Sequence, residues 1–349
     1  TLLPGLIDAH VHLGSTLEGD FVNRAVHEGP ADTALRAAHD ARVTLLAGFT
    51  TVRNVGSEGF VDVALKRAIE RGDIPGPWIV PAGHSLSPTG GHGDATGFRP
   101  GILEGGPREG IADGPEEVRK AVRMQIKYGA EVIKCVATAG VLSFEKTVGA
   151  EQYSFEELKA MVDEARLHGV KVAAHAHGPE GILAAIRAGV ASIEHGSILT
   201  DEALRLMKEK GTYLVPTTYL ADAIDLDNLP PHLRKKAEEI LPQAKESLRK
   251  AVRAGVKIAF GTDAAVIPHG QNAREFAAMV ERGMSPLEAI RSATLRGADL
   301  LDLPDRGVLA PGKRADVIAV PGNPLENVRL LEDVRFVMKG GMVFRREDS

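Results

Sequence analysis

The sequence predicts an α/β fold, a (β/α)8 TIM-like barrel with a remnant C-terminal β segment of a small sandwich domain. Short apolar, β-rich runs alternate with amphipathic helical stretches along the 349 residues. Helical stretches repeatedly end in glycine directly before the next apolar run, as in the segments RLHGVKV, IRAGVAS and VRAGVKI. A glycine cap followed by a short loop is typical of parallel α/β folds. Eight such units in series favour a closed barrel over an open, doubly wound sheet.

The predicted elements follow from these patterns in chain order. Apolar and β-branched residues place eight strands at Gly5 to His10, Phe49 to Val55, Trp78 to Ala82, Glu131 to Ala137, Val170 to His175, Ala191 to His195, Tyr213 to Pro216 and Val256 to Gly261. Amphipathic periodicity places helices at Asp32 to Leu46, Gly59 to Arg71, Pro115 to Tyr128, Ser154 to His168, Pro179 to Ala188, Thr200 to Lys210 and Pro231 to Ala254. Ser154 and Ser285 each precede a glutamate by three positions, which predicts a capped helix start.

The character of the chain changes after about Leu303. Short β runs follow at Val317 to Val320, Val334 to Met338 and Met342 to Arg345, and these are too few to bury a core of their own. We therefore divide the chain into a hydrolase barrel over residues 1–304 and a C-terminal β segment over residues 305–349. The chain begins almost directly at strand one, and we expect its N-terminus to be trimmed.

Composition excludes several classes of protein. The net charge is −5 and the basic residues are scattered, so neither nucleic acid nor an anionic membrane is an expected partner. No apolar run is long enough to span a bilayer. The single Cys135 excludes an internal disulfide framework and a cysteine-rich zinc site, and we expect it to pack in the core. We expect a cytoplasmic homo-oligomer, although a trimmed leader would alter the location.

Polar residues at or near the ends of predicted strands point to metal chemistry. Side chains alternate along a strand, so His10 and His12 point to the same side and can coordinate one cation. In a closed barrel the carboxyl ends of all strands meet at one face, and the last strand lies beside the first. The sequence therefore predicts a two-metal hydrolytic centre built from six ligands: His10, His12, Lys134, His175, His195 and Asp263.

A lysine belongs in this set only in a modified form. An ammonium has no lone pair and repels cations. Reaction with carbon dioxide would make Lys134 a carbamate, an anionic oxygen ligand able to bridge two ions. Taken alone, a lysine at a strand end is more often paired with a carboxylate, but the other five residues favour the ligand interpretation.

The motifs LLPGLIDAHVHL, TTVRNVG, EVIKCVATAG, VAAHAHG, SIEHG, GTDA and LAPGKRADVIAV together resemble the amidohydrolase superfamily over nearly the whole chain. The GGHGD segment and the stretch after GTDA resemble its imidazolonepropionase-like branch, which contains zinc-dependent Xaa-Pro dipeptidases. The resemblance implies two divalent ions, expected to be Zn²⁺, with His10 and His12 on the more buried one and carboxylated Lys134 as the bridge. It further implies that His175 and His195 hold the other ion. Asp263 would touch a metal and move the proton of a bridging hydroxide. The chain departs from the pattern in one respect: members of the family carry an N-terminal β segment that completes the small sandwich, so the resemblance implies that this half is absent here and that the C-terminal strands lack their partner.

Four further residues are candidates on the substrate side. His92 lies in a Gly/Pro-rich loop, His84 to Gly114, where it is expected to polarise the scissile carbonyl or to hold the tetrahedral intermediate. Tyr219 follows strand seven and is expected to bind a substrate carboxylate or the developing oxyanion. His177 repeats the spacing of the first histidine pair, but we expect it beyond the metal plane, in a supporting or substrate-binding role. His269, after strand eight, is a weaker pocket candidate.

The preferred hypothesis is a binuclear amidohydrolase that cleaves the C–N bond of a dipeptide with C-terminal proline or a related residue. The same metals would serve an imidazolone ring, an N-acyl amino acid, a lactone or a phosphotriester, because barrel loops set the substrate. A noncatalytic barrel scaffold is the alternative from another class. It would be expected to lose ligands, since nothing would require a costly buried charge cluster.

Overall fold

The structure of the chain is a computed structural model that describes residues 1–16, 21–143, 145 and 147–347, with only the backbone described at residues 21 and 22. The chain divides into two compact units. The first consists of Thr1–Pro81 with Ala259–Ser349, and the second is Ala82–Ile258.

Strands and helices occur in the predicted alternation. The strands are β1 Leu2–Pro4, β2 Leu6–Val11, β3 Phe49–Asn54, β4 Trp78–Pro81, β5 Val132–Val136, β6 Lys171–Ala176, β7 Ser192–His195, β8 Tyr213–Val215, β9 Val317–Ala319, β10 Phe336–Lys339 and β11 Met342–Arg346. The helices are α1 Phe21–His27, α2 Pro30–Leu46, α3 Val61–Arg71, α4 Gly114–Tyr128, α5 Phe155–Leu167, α6 Pro179–Ala188, α7 Asp201–Lys210, α8 Leu220–Ala223, α9 Pro231–Ala254, α10 Arg274–Glu281, α11 Pro286–Ser292 and α12 Leu295–Leu300.

Helix boundaries follow local chemistry. Ser154 accepts a hydrogen bond from the backbone N–H of Glu157, and the glutamate side chain accepts from the backbone N–H of Ser154, so the predicted capping box is formed. Ser285 caps α11 by accepting from the N–H of Glu288. None of the helices within the described ranges is both long and apolar enough to cross a membrane.

The first unit contains two sheets. β2, β3 and β4 form a parallel sheet, and β1, β9, β10 and β11 form an antiparallel one in that order. The pairing of Leu2 with Ala319 corrects the expectation that the C-terminal strands lack an N-terminal partner. A three-residue edge strand ending in proline carries too short a pattern to be recognised alone, and its partner lies more than 300 residues away. The division at residues 304 and 305 stays a prediction.

The second unit contains a parallel sheet in the order β5, β6, β7 and β8. Its register pairs Lys134 with Ala173 and Val136 with His175. β6, β7 and β8 each lead into a helix through a short connection, whereas residues 137–154 separate β5 from α5. α6 and α7 end at left-handed glycines, Gly189 and Gly211. This repetition is the βα pattern that the sequence predicts.

The α/β class with parallel strands is confirmed, but two details differ from the expectation. Within the described ranges the parallel strands form two sheets rather than one continuous closed sheet. The eighth predicted strand, Val256 to Gly261, is not a regular strand in the structure. It makes isolated contacts instead: Ile258 bridges to Leu214, and the carbonyl of Phe260 accepts from the N–H of Ala9. The irregularity continues at Asp263, where the backbone turns left-handed.

Candidate metal centre

The first group of candidate ligands consists of His10, His12 and Asp263. The Nε2 atoms of both histidines lie 3.5 Å from Oδ1 of Asp263. The two imidazole rings meet edge to face, with centroids 5.4 Å apart. Among the described residues these three offer ligand atoms within 4.8 Å of one another, which suits one divalent ion.

Backbone pairing to β2 brings Asp263 to the histidines. The N–H of Asp263 donates to the carbonyl of His10 at 2.8 Å, and the N–H of His12 donates to the carbonyl of Ala264 at 2.9 Å. The segment around Asp263 therefore runs beside β2, as the strand order of a barrel predicts. Asp263 has a φ of 59°, a left-handed conformation that is uncommon outside glycine and that aspartate adopts more readily than most residues.

A backbone carbonyl orients His12. Its Nδ1 lies 3.3 Å from the carbonyl oxygen of Gly56. A carbonyl can only accept, so this contact selects the tautomer in which Nδ1–H donates. The Nε2 lone pair of His12 then faces Asp263 and is available to a cation.

The second group consists of His175, His177 and His195. The ring of His175 lies 4.6 Å from that of His177 and 4.7 Å from that of His195, measured between centroids. The rings of His177 and His195 are stacked at 5.0 Å. The structure thus brings His177, which we predicted to lie beyond the metal plane, into the same potential three-nitrogen site.

Strained backbone places His195 in this group. The register pairs His175 with Glu194, so Glu194 shares the face of His175, and regular alternation would send His195 to the other face. His195 instead has a φ of 68°, which breaks the alternation at the end of β7. Because such strain persists only where the surroundings enforce it, the conformation marks a candidate functional position.

Hydroxyl groups orient two of these rings. Nδ1 of His177 lies 2.7 Å from Oγ of Ser197, and Nδ1 of His195 lies 2.8 Å from Oγ1 of Thr217. These contacts leave the Nε2 atoms as the candidate ligand atoms, a common arrangement for metal-binding histidine.

His175 supplies the clearest sign that the group suits a cation. Its Nε2 is buried and has no hydrogen-bond partner. A buried nitrogen without a partner is costly unless a ligand satisfies it. Burial, reinforced by the nearby histidines, holds the pKa of His175 well below its usual value, which keeps the imidazole neutral with a free lone pair. The residues present therefore fit a divalent metal ion.

Lys134 and Cys135 occupy opposite faces of β5. Lys134 is 4% exposed and shares its face with Val136 and His175. The charge of Lys134 is also one of the smaller causes that lower the pKa of His175. Cys135 is fully buried, and burial raises the pKa of its thiol to about 12, so the predicted core-packing role fits.

His92 lies against the second group. Its ring stacks on that of His175 with centroids 4.6 Å apart, and its backbone N–H donates to the side chain of Gln152 at 2.9 Å. The ring occupies the space beside Gly140, where an added Cβ would lie 2.3 Å from Cε1 of His92. Glycine at position 140 therefore permits this close approach.

The other two substrate-side candidates differ in their surroundings. Tyr219 is half-buried and lies directly before α8, which begins two residues after Thr218. His269 has a side chain that is only 5% exposed, with Nδ1 at 3.0 Å from Oγ1 of Thr44 and Nε2 at 3.4 Å from the carbonyl of His12. Protein partners at both nitrogens fit a supporting position behind His12 better than the predicted substrate contact.

Sequence reasoning missed a buried polar network beside the first group. Asp8, Thr262 and Asn272 are each fully buried, and their side chains hydrogen-bond to one another. The one available signal was strand alternation, which places Asp8 on the same face as His10. Asn272 lies 264 residues away from Asp8 and carries no signal in the local sequence.

Comparisons with known proteins agree with this geometry. The model of the amidohydrolase family matches residues 1–343. Among solved structures, the chain is similar to a Xaa-Pro dipeptidase with methionine bound in its active site, at 44% identity and a TM-score of 0.95, over 99% of this chain and 87% of that one. It is 39% identical over 371 residues to an ochratoxinase of Aspergillus niger, over 99% of this chain and 75% of that protein.

A more distant likeness supports the branch that the motifs predict. An imidazolonepropionase of Cutibacterium acnes is 30% identical over 159 residues, which cover 44% of this chain and 35% of that protein. The resemblance inferred from the motifs is therefore confirmed. Because the family model spans nearly the whole chain, the chain belongs to the amidohydrolase family and is a hydrolase that acts on carbon–nitrogen bonds.

Proposed function

We propose that this chain is a binuclear metal-dependent amidohydrolase that cleaves a dipeptide with C-terminal proline or a related residue. The observation that carries the proposal is the buried Nε2 of His175, which has no hydrogen-bond partner and lies in one of two three-residue groups of candidate ligands. A noncatalytic scaffold would have no need to keep these groups at the cost of strained backbone at His195 and Asp263.

The residues divide the task of metal binding. His10 and His12 would hold one divalent ion, expected to be Zn²⁺, and His175 and His195 the other. His177 is an additional candidate nitrogen in the second group. When bound, such ions lower the pKa of a shared water and polarise a substrate carbonyl.

Lys134 would complete the set as a carbamate. Its burial removes competing water, and a carbamate forms when the neutral amine attacks carbon dioxide and releases one proton. The product is an anion, so it would offset the charge of the cations that the neighbouring imidazoles hold. Carbon dioxide or bicarbonate is therefore a required component of reconstitution.

Acid–base work would fall to Asp263 and substrate orientation to His92 and Tyr219. Asp263 lies 3.5 Å from both histidines of its group, which supports a place beside the metal, where its carboxylate would take a proton from the nucleophile and return it to the leaving nitrogen. His92, fixed by its stack on His175, would polarise the carbonyl. Tyr219 would bind the carboxylate of the substrate.

The substrate proposal is supported by similarity to a Xaa-Pro dipeptidase over nearly the whole chain. A second candidate is the hydrolysis of an N-acyl amino acid or a related non-peptide amide, which the similarity to an ochratoxinase favours. The imidazolone alternative has a weaker basis, since that likeness covers less than half of the chain.

A substrate panel on reconstituted protein tests this proposal. We expect metal analysis to give about two divalent ions per chain after addition of zinc and bicarbonate. Among dipeptides and N-acyl amino acids, Xaa-Pro dipeptides should show the highest kcat/KM. Normal metal loading without hydrolysis of any amide would contradict the proposed function, and a preference for N-acyl amino acids would select the second candidate.

Matched variants separate ligands from surface histidines. His175→Ala should lose metal from the second group and lower kcat/KM by more than about 100-fold. His168→Ala is the control, because His168 is the C-cap residue of α5 and pairs with Glu164 rather than with a candidate ligand. For Lys134→Gln, bicarbonate should no longer improve metal uptake, and carbon-13-labelled bicarbonate should give no carbamate signal. A signal that persists in that variant would contradict the role of Lys134.

A further inference from the structure

A fully buried carboxylate lies beside the first ligand group without belonging to it. Asp8 precedes His10 by two residues on the same face of β2. Its Oδ1 accepts from the backbone N–H groups of His10 at 3.1 Å and Thr262 at 3.2 Å. Its Oδ2 accepts from the hydroxyl of Thr262 at 2.7 Å and the amide of Asn272 at 2.8 Å. An ionised carboxylate offers about four acceptor sites, so these four donors use its full capacity.

The hydrogen bonds join three separate segments of the chain. Asn272 anchors its own loop, because its Oδ1 accepts from the N–H of Gly270 at 3.0 Å. The hydroxyl of Thr262 also accepts from the N–H of Ala264 at 3.2 Å. Asp263 is therefore flanked on both sides by residues bound into the network, and its own N–H is held by His10.

These hydrogen bonds on both sides of Asp263 explain how it keeps its left-handed backbone. A positive φ is uncommon for any residue other than glycine, although aspartate adopts it more readily than most. Such a conformation persists where the surroundings enforce it. Bonds to the N–H groups of Thr262, Asp263 and Ala264 supply three consecutive constraints.

We propose that Asp8 and Asn272 are positioning residues for the metal centre. Acting through Thr262, they hold Asp263 and the backbone of His10 in a preformed geometry for a divalent ion. The inference rests on the metal site of the proposed function. Partners that fix ligands in advance remove the cost of ordering them when the ion binds.

Hydrogen-bond polarity makes the proposal testable. In Asp8→Asn one oxygen becomes an NH₂ group, which would face the NH₂ of Asn272 or the N–H groups of His10 and Thr262. In Asn272→Asp two carboxylates would face each other. The double variant Asp8→Asn/Asn272→Asp restores the hydrogen bond between the two side chains, with the donor now at position 8 and the acceptor at position 272. The new carboxylate at position 272 can still accept from the N–H of Gly270.

The readout is the metal dissociation constant of folded protein, measured by chelator competition without substrate. Each single variant should bind metal about 10–100-fold more weakly. The double variant should recover at least about tenfold of the affinity lost in Asp8→Asn. Glu164→Gln is the control, since it alters a buried carboxylate on α5 and should lower thermal stability with unchanged metal affinity. If Asp8→Asn does not fold, Asn272→Ala removes a single donor and should still weaken metal binding.

The outcomes separate this inference from the proposed function. Wild-type metal affinity in the folded single variants, or a double variant as weak as the two losses added together, would overturn the positioning role. A wild-type protein that binds metal as described but cleaves no amide would contradict the proposed substrate and leave the positioning role supported. A wild-type protein that takes up no metal would overturn both.

Discussion

The imidazole of His195 packs against that of His175 with ring centroids 4.7 Å apart, although the register of β6 and β7 pairs His175 with Glu194. The left-handed backbone of His195 turns its side chain away from the alternation of the strand. The same conformation recurs at Asp263 in the other ligand group. In both groups, therefore, one candidate ligand has a left-handed backbone.

Substitution at His195 should reveal this strain as a difference in stability. Glycine tolerates a positive φ, whereas alanine there costs roughly 1–2 kcal/mol, partly offset by the greater flexibility of unfolded glycine. Metal-free His195→Gly should thus be more stable than His195→Ala by about 1 kcal/mol. Denaturant unfolding of the two variants measures the difference in the free energy of unfolding. Because both variants lack the imidazole, the effect of losing it cancels in the comparison. An alanine variant as stable as the glycine variant would show that position 195 is relaxed.

Asp263→Asn should damage turnover more than metal binding. Asparagine has nearly the same shape and tolerates the left-handed region, so the backbone is expected to stay in place. Its amide cannot exchange a proton, and kcat should fall by about 10²–10⁴-fold. Metal analysis beside steady-state kinetics tests this, with His12→Ala as the comparison that loses metal. Turnover within tenfold of wild type would exclude Asp263 as the acid–base group.

A buried amine in the first unit predicts a pH dependence of stability. Lys339 donates to the carbonyl of Gly76 and lies 4.2 Å from the ring centre of Trp78. Burial lowers the pKa of its amine from 10.5 to about 8, against the opposing effect of Asp316 and other nearby carboxylates. Below pH 8 both folded and unfolded chains carry the proton, and the cost of the buried charge is fully present.

That cost disappears as the pH rises from 8 to 10.5, because the unfolded chain then binds more protons than the folded one. We expect metal-free wild-type protein to gain about 3 kcal/mol over this range relative to Lys339→Met. Denaturant unfolding at several pH values measures both proteins, and other titrating groups cancel in the difference. Parallel pH curves would show that the amine stays protonated in the fold.

Much of the fold could be predicted because its signals are local. Apolar runs and glycine caps gave seven of the eight predicted strands within two residues of β2 to β8 at each end. The eighth failed because its residues bond irregularly to neighbours on either side, which apolar content does not reveal. The pairing of Leu2 with Ala319 also lay outside local patterns.

The candidate site likewise has a part that the local sequence predicts and a part that depends on contacts formed only in the fold. The alternation of side chains along a strand predicted that His10 and His12 lie on one face. His175, His195 and Asp263 were predicted because each lies at or near the end of a predicted strand. Backbone strain is a tertiary property, so the sequence could not indicate how His195 joins His175. The network of Asp8 and Asn272 likewise depends on residues that meet only after folding.

Gly140→Ala should impair catalysis through His92 without removing a ligand. The added Cβ would lie 2.3 Å from Cε1 of His92, so the imidazole has to leave its stack on His175. Displacing a group that polarises the carbonyl by about an ångström should lower kcat roughly 100-fold, with metal content unchanged. Gly106→Ala is the matched control, because the nearest atom there is 3.9 Å away at the end of the Glu109 side chain.

A double variant tests whether Gly140→Ala acts through His92. Since both changes act on the same ring, adding Gly140→Ala to His92→Ala should cause little further loss of kcat. A further 100-fold loss in the double variant would show that position 140 acts independently of His92.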